Sequence, residues 1–451
     1  MKKILDNPLG VKFALVLGLF ILLQIPISMI SGLISERSYR QDEVRNDIAR
    51  SNAGEQRIIG PFIVVDYTQT RHIDGKAYPT ERSAFVLPDA FELAADLDTF
   101  DKYRGIYQAH MYRAQTNIKG QFDLRQLEPL KQFDIDAVTL VVGIKDSRGL
   151  VRLDEMKLAD TPISLTPGTR LNAIPQGFHS QLDINELDTD KPLSFDLNFL
   201  LMGMGKLQIT PIGNTTTVEL ASSWPHPSFV GDYLPVSSTI SEHGFDAQWS
   251  SNNFSTNIAQ LFQNCLSNND NCDKLEQRQM GVSLIDPVDH YLKSHRAVNY
   301  SILVITLVFA SFFLLELFQA RPIHPIQYGF VGLALALFYS LLISLSEHIG
   351  FNWAYGVSVM VSTVLLSLYV GGVLSNRNHG TLFGAGLLTL YGMLFGLLQA
   401  ENYALLMGTL LCLAILGFVM MITRHVDWYS HTAKATTKEA QTIQETGAAN
   451  R

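Results

Sequence analysis

Three cysteines in 451 residues are too few to build a disulfide scaffold, and no basic run or arm interrupts a chain of net charge -8. The first absence excludes the small secreted class of fold, and the second excludes an electrostatic grip on nucleic acid. No Gly-x-Ser-x-Gly elbow surrounds any serine and no His-Glu-x-x-His occurs, so neither a hydrolase nor a zinc protease signature is present. From about 298 to 423 charge itself is nearly missing. That stretch is close to continuous apolar sequence, whereas residues from about 36 to 296 have the composition of a soluble protein.

A bilayer core needs roughly 20 apolar residues in a helix, because unpaired backbone groups are too costly in hydrocarbon. Phe13 to Leu33 meets that length behind Lys2, Lys3 and Lys12. Its length, Pro26 and the lack of an Ala-x-Ala end favour an uncleaved anchor over a signal peptide. Five more spans are expected at about 298–318, 326–346, 353–374, 381–398 and 403–423. The break Arg321-Pro322-Ile323-His324-Pro325 ends one and starts the next, since proline suits a first turn but not a helix interior. The positive-inside bias sets orientation. With residues 1–12 cytoplasmic, Arg321, Arg377, Arg424 and the tail 424–451 fall inside, and the short outer connectors carry only Glu347 and Glu401. Residues 34–297 are then periplasmic, both termini are cytoplasmic, and the tail past about His431 reads as disordered. Gly380 and Gly384, then Gly392 and Gly396, recur at small-xxx-small spacing, which serves packing within one chain or homo-oligomer formation.

Within 34–297, short runs alternate apolar and polar residues, as in Ile118 to Leu124, Phe195 to Phe199 and Leu207 to Thr210. Turn signals at Asp74-Gly75, 146–149, 166–168 and 212–214 separate them. The expected fold class is α+β: a six-helix anchor with a large, mainly antiparallel β domain inserted after the first helix, as one sandwich or two sheets in sequence. The charged residues 36–51 could prolong the first helix, and a short helix is expected near Asn257 to Phe262.

The strongest local feature is Trp224-Pro225-His226-Pro227-Ser228-Phe229-Val230-Gly231-Asp232-Tyr233-Leu234-Pro235. Its prolines exclude a central strand or a helix and predict a defined loop. Trp224, His226, Ser228, Phe229, Asp232 and Tyr233 are candidate binding residues there; the competing reading is a rigid crossover with Trp224 and Phe229 buried. Asp286, Asp289, His290 and His295 could meet a metal, but the two histidines are not on one helical face, and no metal or other cofactor is expected. Glu316, set in Phe-Phe-Leu-Leu-Glu-Leu-Phe, is a functional candidate because a carboxylate in hydrocarbon is costly; it lies near a helix end, where it could instead reach water or pair with Arg321. Cys265 and Cys272 would form a disulfide in an oxidising compartment and remain two thiols otherwise; Cys412 reads as a packing residue.

These residues, taken together, make the chain resemble the CreD family of bacterial inner-membrane proteins, also called cell envelope integrity proteins. The resemblance rests on Ser223 to Phe229, Glu316 to Tyr328, Leu345 to His348 with Gly350-Phe351, and Tyr403 to Leu406, and runs to Asp427-Trp428-Tyr429. The tail past about 431 is longer than the family pattern, and the Cys265–Cys272 stretch resembles a variable part of it. The resemblance implies a role in envelope integrity and a two-component response to envelope stress and β-lactams; it supplies no catalytic residue, substrate or cofactor. Three functions follow as expectations. One is non-enzymatic binding of an envelope component or protein partner by the periplasmic domain. The others are a transporter or lipid-handling protein using Glu316, and a periplasmic enzyme acting on cell-wall material through His226, Ser228 and Asp232.

Overall fold

The computed structural model describes residues 8–73, 76–268, 272–284, 290–319, 323–399 and 404–424. In it the N-terminal apolar run and the charged residues behind it form one helix, Pro8–Ser51 (α1). At 1.5 Å per residue, its 44 residues measure about 66 Å, twice what the bilayer core needs. The chain divides into two units, residues 41–287 and residues 1–40 with 288–451.

The second of these is helical. His290–Asn299 (α5) and Ser301–Gln319 (α6) meet at a 42° bend, so the span expected from about 298 starts earlier and is broken. Pro325–Ile349 (α7), Phe351–Val373 (α8), Arg377–Gln399 (α9) and Ala404–Thr423 (α10) follow. The start of α7 is set by chemistry: the His324 ring accepts the Ile326 N–H, the Gln327 side chain accepts the His324 N–H, and Pro325 takes the first turn. Among the described residues α1, α7, α8 and α9 are long and apolar enough to cross a membrane, and the bent pair α5–α6 makes a fifth. That is fewer than the six expected. The sixth segment is helical as α10, although several of its side chains lie outside the described residues and it is not counted with these.

The other unit holds the strands, with the last turns of α1. Its first half contains Gln56–Ile73 (β1), Lys76–Val86 (β2), Ala90–Arg104 (β3), Tyr107–Phe122 (β4), Asp134–Ile144 (β5) and Leu150–Leu153 (β6). Met156–Leu158 (β7), Thr161–Ile163 (β8), Thr166–Pro167 (β9), Gly177–Leu182 (β10), Leu193–Met204 (β11) and Lys206–Ile209 (β12) come next. Thr215–Ser222 (β13), Pro227–Gly231 (β14), Ser237–Ser241 (β15), Gly244–Asn252 (β16) and Met280–Leu284 (β17) complete it. Short helices Asn253–Thr256 (α2), Ile258–Asn268 (α3) and Asp273–Gln277 (α4) precede β17, on and beyond the helix expected near Asn257.

One sheet runs β14-β17-β12-β1-β5-β10-β9 with β2 on β1; the other runs β15-β16-β13-β3-β4-β11-β7-β8 with β6 on β11. The two are interleaved along the chain rather than consecutive, and one buried cluster draws on both. Nor are they purely antiparallel: β1 pairs with β12, and β3 with β13, in parallel, so both sheets are mixed. The period-two pattern explains the burial. Along β11 every residue from Leu193 to Gly203 at an odd number is buried, and the residues between are at least partly solvated. At Gly205 the chain crosses from β11 in one sheet to β12 in the other. Its φ of +70° is the left-handed conformation that glycine adopts without a Cβ clash.

A buried polar knot closes that corner. Gln56, fully buried, donates to the carbonyls of Asp146 and Met202, each at 2.9 Å, and accepts the Asp146 N–H at 3.2 Å. The Asp146 carboxylate in turn accepts the Gly54 N–H at 3.0 Å and the Arg148 guanidinium at 2.6 and 2.8 Å. Burial works against the ionised form of Asp146, but the Arg148 and Gly54 bonds outweigh it and hold the carboxyl below its ordinary range. A carboxyl whose folded pKa lies below the unfolded one stabilises the fold above the unfolded value and ceases to as pH falls through the folded one. Protection of β1 and β5 amides from hydrogen exchange should therefore decline below about pH 4, the ordinary aspartate range. In Asp146→Asn protein that part of the decline should be absent; an unchanged pH profile would show that other carboxyls carry it.

Candidate functional site

The run from Trp224 to Pro235 is a stitch between the sheets, and only partly a loop. The chain leaves β13 of one sheet and adds β14 to the end of the other beside β17. It then returns to the first as β15. Pro227 is the first residue of that edge strand, where a missing N–H costs the ladder least. Phe229 points its ring at Phe245 and Trp249, 6.0 and 5.6 Å away in edge-to-face geometry. Trp249 fixes the return by donating from Nε1 to the Tyr233 carbonyl at 3.0 Å, and Arg278 donates to Asp232 at 3.2 Å. Trp224, Phe229 and Tyr233 all pack, half-buried, against the core.

Around Trp224 a group forms that the sequence did not reveal. The Trp224 N–H donates to Ser222 Oγ at 3.2 Å, which itself donates to the Leu97 carbonyl at 2.9 Å, and the indole N–H donates to the His226 carbonyl at 3.1 Å. The indole so held lies 4.8 Å from the ring of His110 on β4 and 6.5 Å from that of His226. His110 Nδ1 is 2.6 Å from Asp101 Oδ1 on β3. Asp101, His110, Trp224 and His226 thus share one end of the sheet, with His226 exposed. Strand pairing makes the group: Asp101 faces His110 in the β3–β4 register. No spacing in the sequence announces such a pair, which only the register brings together. His226, Ser228 and Asp232 do not assemble in the same way. Among the described residues no hydrogen bond links the three, and Asp232 is engaged by Arg278.

Asp286 and Asp289 lie outside the described residues, and among those described no cluster of three or more His, Cys, Asp or Glu could hold a metal. His295 on α5 is 3.3 Å from Asn299. Cys265 and Cys272 are joined as a disulfide, with Cα atoms 4.6 Å apart, between α3 and α4.

In the helical unit Glu316 has three partners from three segments. Lys12 of α1 forms an ion pair with its Oε1, the Ile323 N–H donates to the same oxygen at 3.2 Å, and the Tyr328 hydroxyl donates to Oε2 at 3.0 Å. Arg321, the partner considered from sequence, lies outside the described residues. Lys12 and Glu316 retain only 16% and 14% of their side-chain exposure, so the pair is shielded, and its desolvation is offset by the two further donors. Further along α1, Arg37 approaches Glu347 at 3.8 Å, and the Tyr291 hydroxyl donates to Glu347 at 3.0 Å. Lys12 and Arg37 are 25 residues apart, about 37 Å of helix, slightly more than the hydrocarbon core. Each ion pair therefore marks one rim of the bundle, where charge is tolerated. The interior between them is aromatic: Tyr355 donates to the Tyr391 carbonyl at 2.8 Å, and Phe338 stacks on Tyr391 at 4.5 Å. Gly380 packs against α8 so closely that a methyl there would fall 2.6 Å from the Ser367 carbonyl, whereas Gly392 and Gly396 have open space around them.

The family model for the inner membrane protein CreD matches residues 8–429. The "Inner membrane protein CreD" of Escherichia coli (strain K12) is 32% identical over 433 residues, covering 94% of this chain and 95% of its own length. Among solved structures, a two-domain M1 zinc metallopeptidase bound to L-arginine gives a TM-score of 0.20 at 9% identity, over 37% of this chain and 39% of that one. The M1 zinc metallopeptidase from Deinococcus radiodurans gives 0.19 at 10%, over 37% and 38%. Likeness at that level carries no argument about fold or activity. The match to the family model and to the E. coli protein, each over nearly the whole chain, makes this protein a member of the CreD family of inner membrane proteins.

Proposed function

We propose that this is an envelope-maintenance protein whose helices anchor it and whose β unit, on the periplasmic side, binds an envelope component or a protein partner without catalysing a reaction on it. The observation that carries the reading is the group at the end of the β3–β4 pair. A half-buried indole flanked by two imidazoles and backed by Asp101 offers a flat apolar face with hydrogen-bonding rims. Such surfaces recognise ligands by stacking combined with a few placed polar contacts. Support for the orientation comes from the Lys and Arg residues of the expected inner loops, with both termini cytoplasmic. The disulfide supports the same compartment, since thiols stay oxidised there.

The Glu316 alternative has less support, because three donors from three segments already tie that carboxylate into the packing of the bundle. The enzymatic alternative has less support, because among the described residues no hydrogen bond links His226, Ser228 and Asp232. The deciding experiment is photo-crosslinking in living cells from positions 224, 226 and 232 of the full chain. A reproducible envelope adduct is expected from 224 and 226. His226→Ala, on an exposed side chain, should reduce the adduct several-fold at normal protein abundance and reproduce the envelope-stress sensitivity expected of a deletion. Wild-type resistance in that variant, with no adduct from any of the three positions, would move the binding surface elsewhere.

A further inference from the structure

Between α7 and α8 lies a groove of about 820 Å³ that the reading of the β unit leaves unused. We propose that it is a binding site for a diacyl phospholipid, held with its ester region toward the Glu347 end of the bundle. Two features point to that occupant. The first is a gradient of chemistry along the walls. Toward Glu347 the lining is hydroxylic, with Ser340 and Ser344 on α7 opposite Ser358 and Ser362 on α8; toward the other end it is aliphatic and aromatic, closing on Phe330 and Tyr369, whose rings are 6.4 Å apart. Ser344 is about 5 Å of helix rise below Glu347, and Ser340 about 10 Å. The gradient therefore has the polarity of a lipid in the leaflet on that side, with oxygens near the rim and chains deeper.

The second feature is a hydroxyl without a partner. Ser358 is fully buried on the groove wall, and its Oγ makes no hydrogen bond, whereas Ser362 Oγ, one turn on, is 3.3 Å from the Tyr391 hydroxyl. A buried hydroxyl in an apolar site calls for an acceptor, and a lipid ester carbonyl reaching into the groove supplies one. Leu337 and Leu365, both more than half exposed, give the rest of the groove an apolar lining suited to acyl chains.

The test is photolabelling of the full chain in vesicles of phosphatidylethanolamine and phosphatidylglycerol that contain a trace of phosphatidylethanolamine with a diazirine in one acyl chain. A diazirine near the ester is expected to label around Ser344 and Ser358, and one at the chain end around Phe330 and Tyr369. Both should exceed, several-fold, labelling at Leu382 and Leu388 on the exposed surface of α9. Leu337→Trp, which fills the groove, should remove that excess; Val361→Trp does the same from the opposite wall if the first variant fails to reconstitute. Equal labelling of groove and α9 surface would overturn the proposal, as would the two probes labelling in reversed order. Crosslinks joining two copies of the chain through this groove would also overturn it, assigning the groove to self-association.

Discussion

Full-length Glu316→Gln protein is expected to lose about 3 kcal/mol of stability in its helical unit, the cost of leaving a shielded, part-buried charge without its partner. Glutamine still offers an oxygen to the Tyr328 hydroxyl or the Ile323 N–H, but Lys12 is left charged, shielded and unpaired. The measurement is thermal unfolding of the detergent-solubilised chain followed by helical circular dichroism. Lys12→Met in the same protein should restore much of the loss, because it removes the stranded charge. A Glu316→Gln protein as stable as wild type, yet unable to replace it in cells, would reverse the argument and return Glu316 to a proton-coupled role.

Gln56→Met is expected to cost the β unit a comparable amount, about 3 kcal/mol, although the two side chains have similar volume. Three hydrogen bonds disappear; the Asp146 carbonyl keeps the Gly149 N–H at 3.1 Å, but the Asp146 N–H and the Met202 carbonyl lose their Gln56 partner in a buried corner. Each such group costs about 1–3 kcal/mol when left unpaired. Hydrogen exchange should show the loss spread over both sheets, since Asp146 follows β5 in one and Met202 belongs to β11 in the other. A loss below about 1 kcal/mol would mean that water replaces the amide.

The long apolar helices were legible because hydrocarbon imposes one rule on every residue of a segment fit to cross it. The runs expected at 326–346 and 381–398 lie within α7 and α9, that at 353–374 overruns α8 by one residue, and the prolongation of the first helix through 36–51 is present. The bend at Tyr300 was not legible, since apolar composition does not record where an axis turns. In the β unit, alternation located β4, β11 and β12 but is silent on partners. The Asp74-Gly75 turn lies outside the described residues, yet β1 and β2 pair as a hairpin up to Ile73 opposite Lys76. Parallel pairing of β1 with β12 joins residues far apart in the chain and leaves no local trace. The prolines of 225–235 correctly excluded a central strand, but an edge strand was the outcome, and only the register could add Asp101 and His110 to Trp224.

The order of strands also bears on how the protein can be made. The first strand, β1, ends up in the middle of its sheet, while β17, made more than 200 residues later, inserts between β12 and β14. Until β17 leaves the ribosome, β12 carries an open edge and β14 has nothing to pair with. Such an edge is a template for pairing with another chain. Closure across so long a separation is slow. The vulnerable interval in the life of this protein therefore falls during synthesis, and a nascent chain stalled before residue 280 would be its most aggregation-prone form.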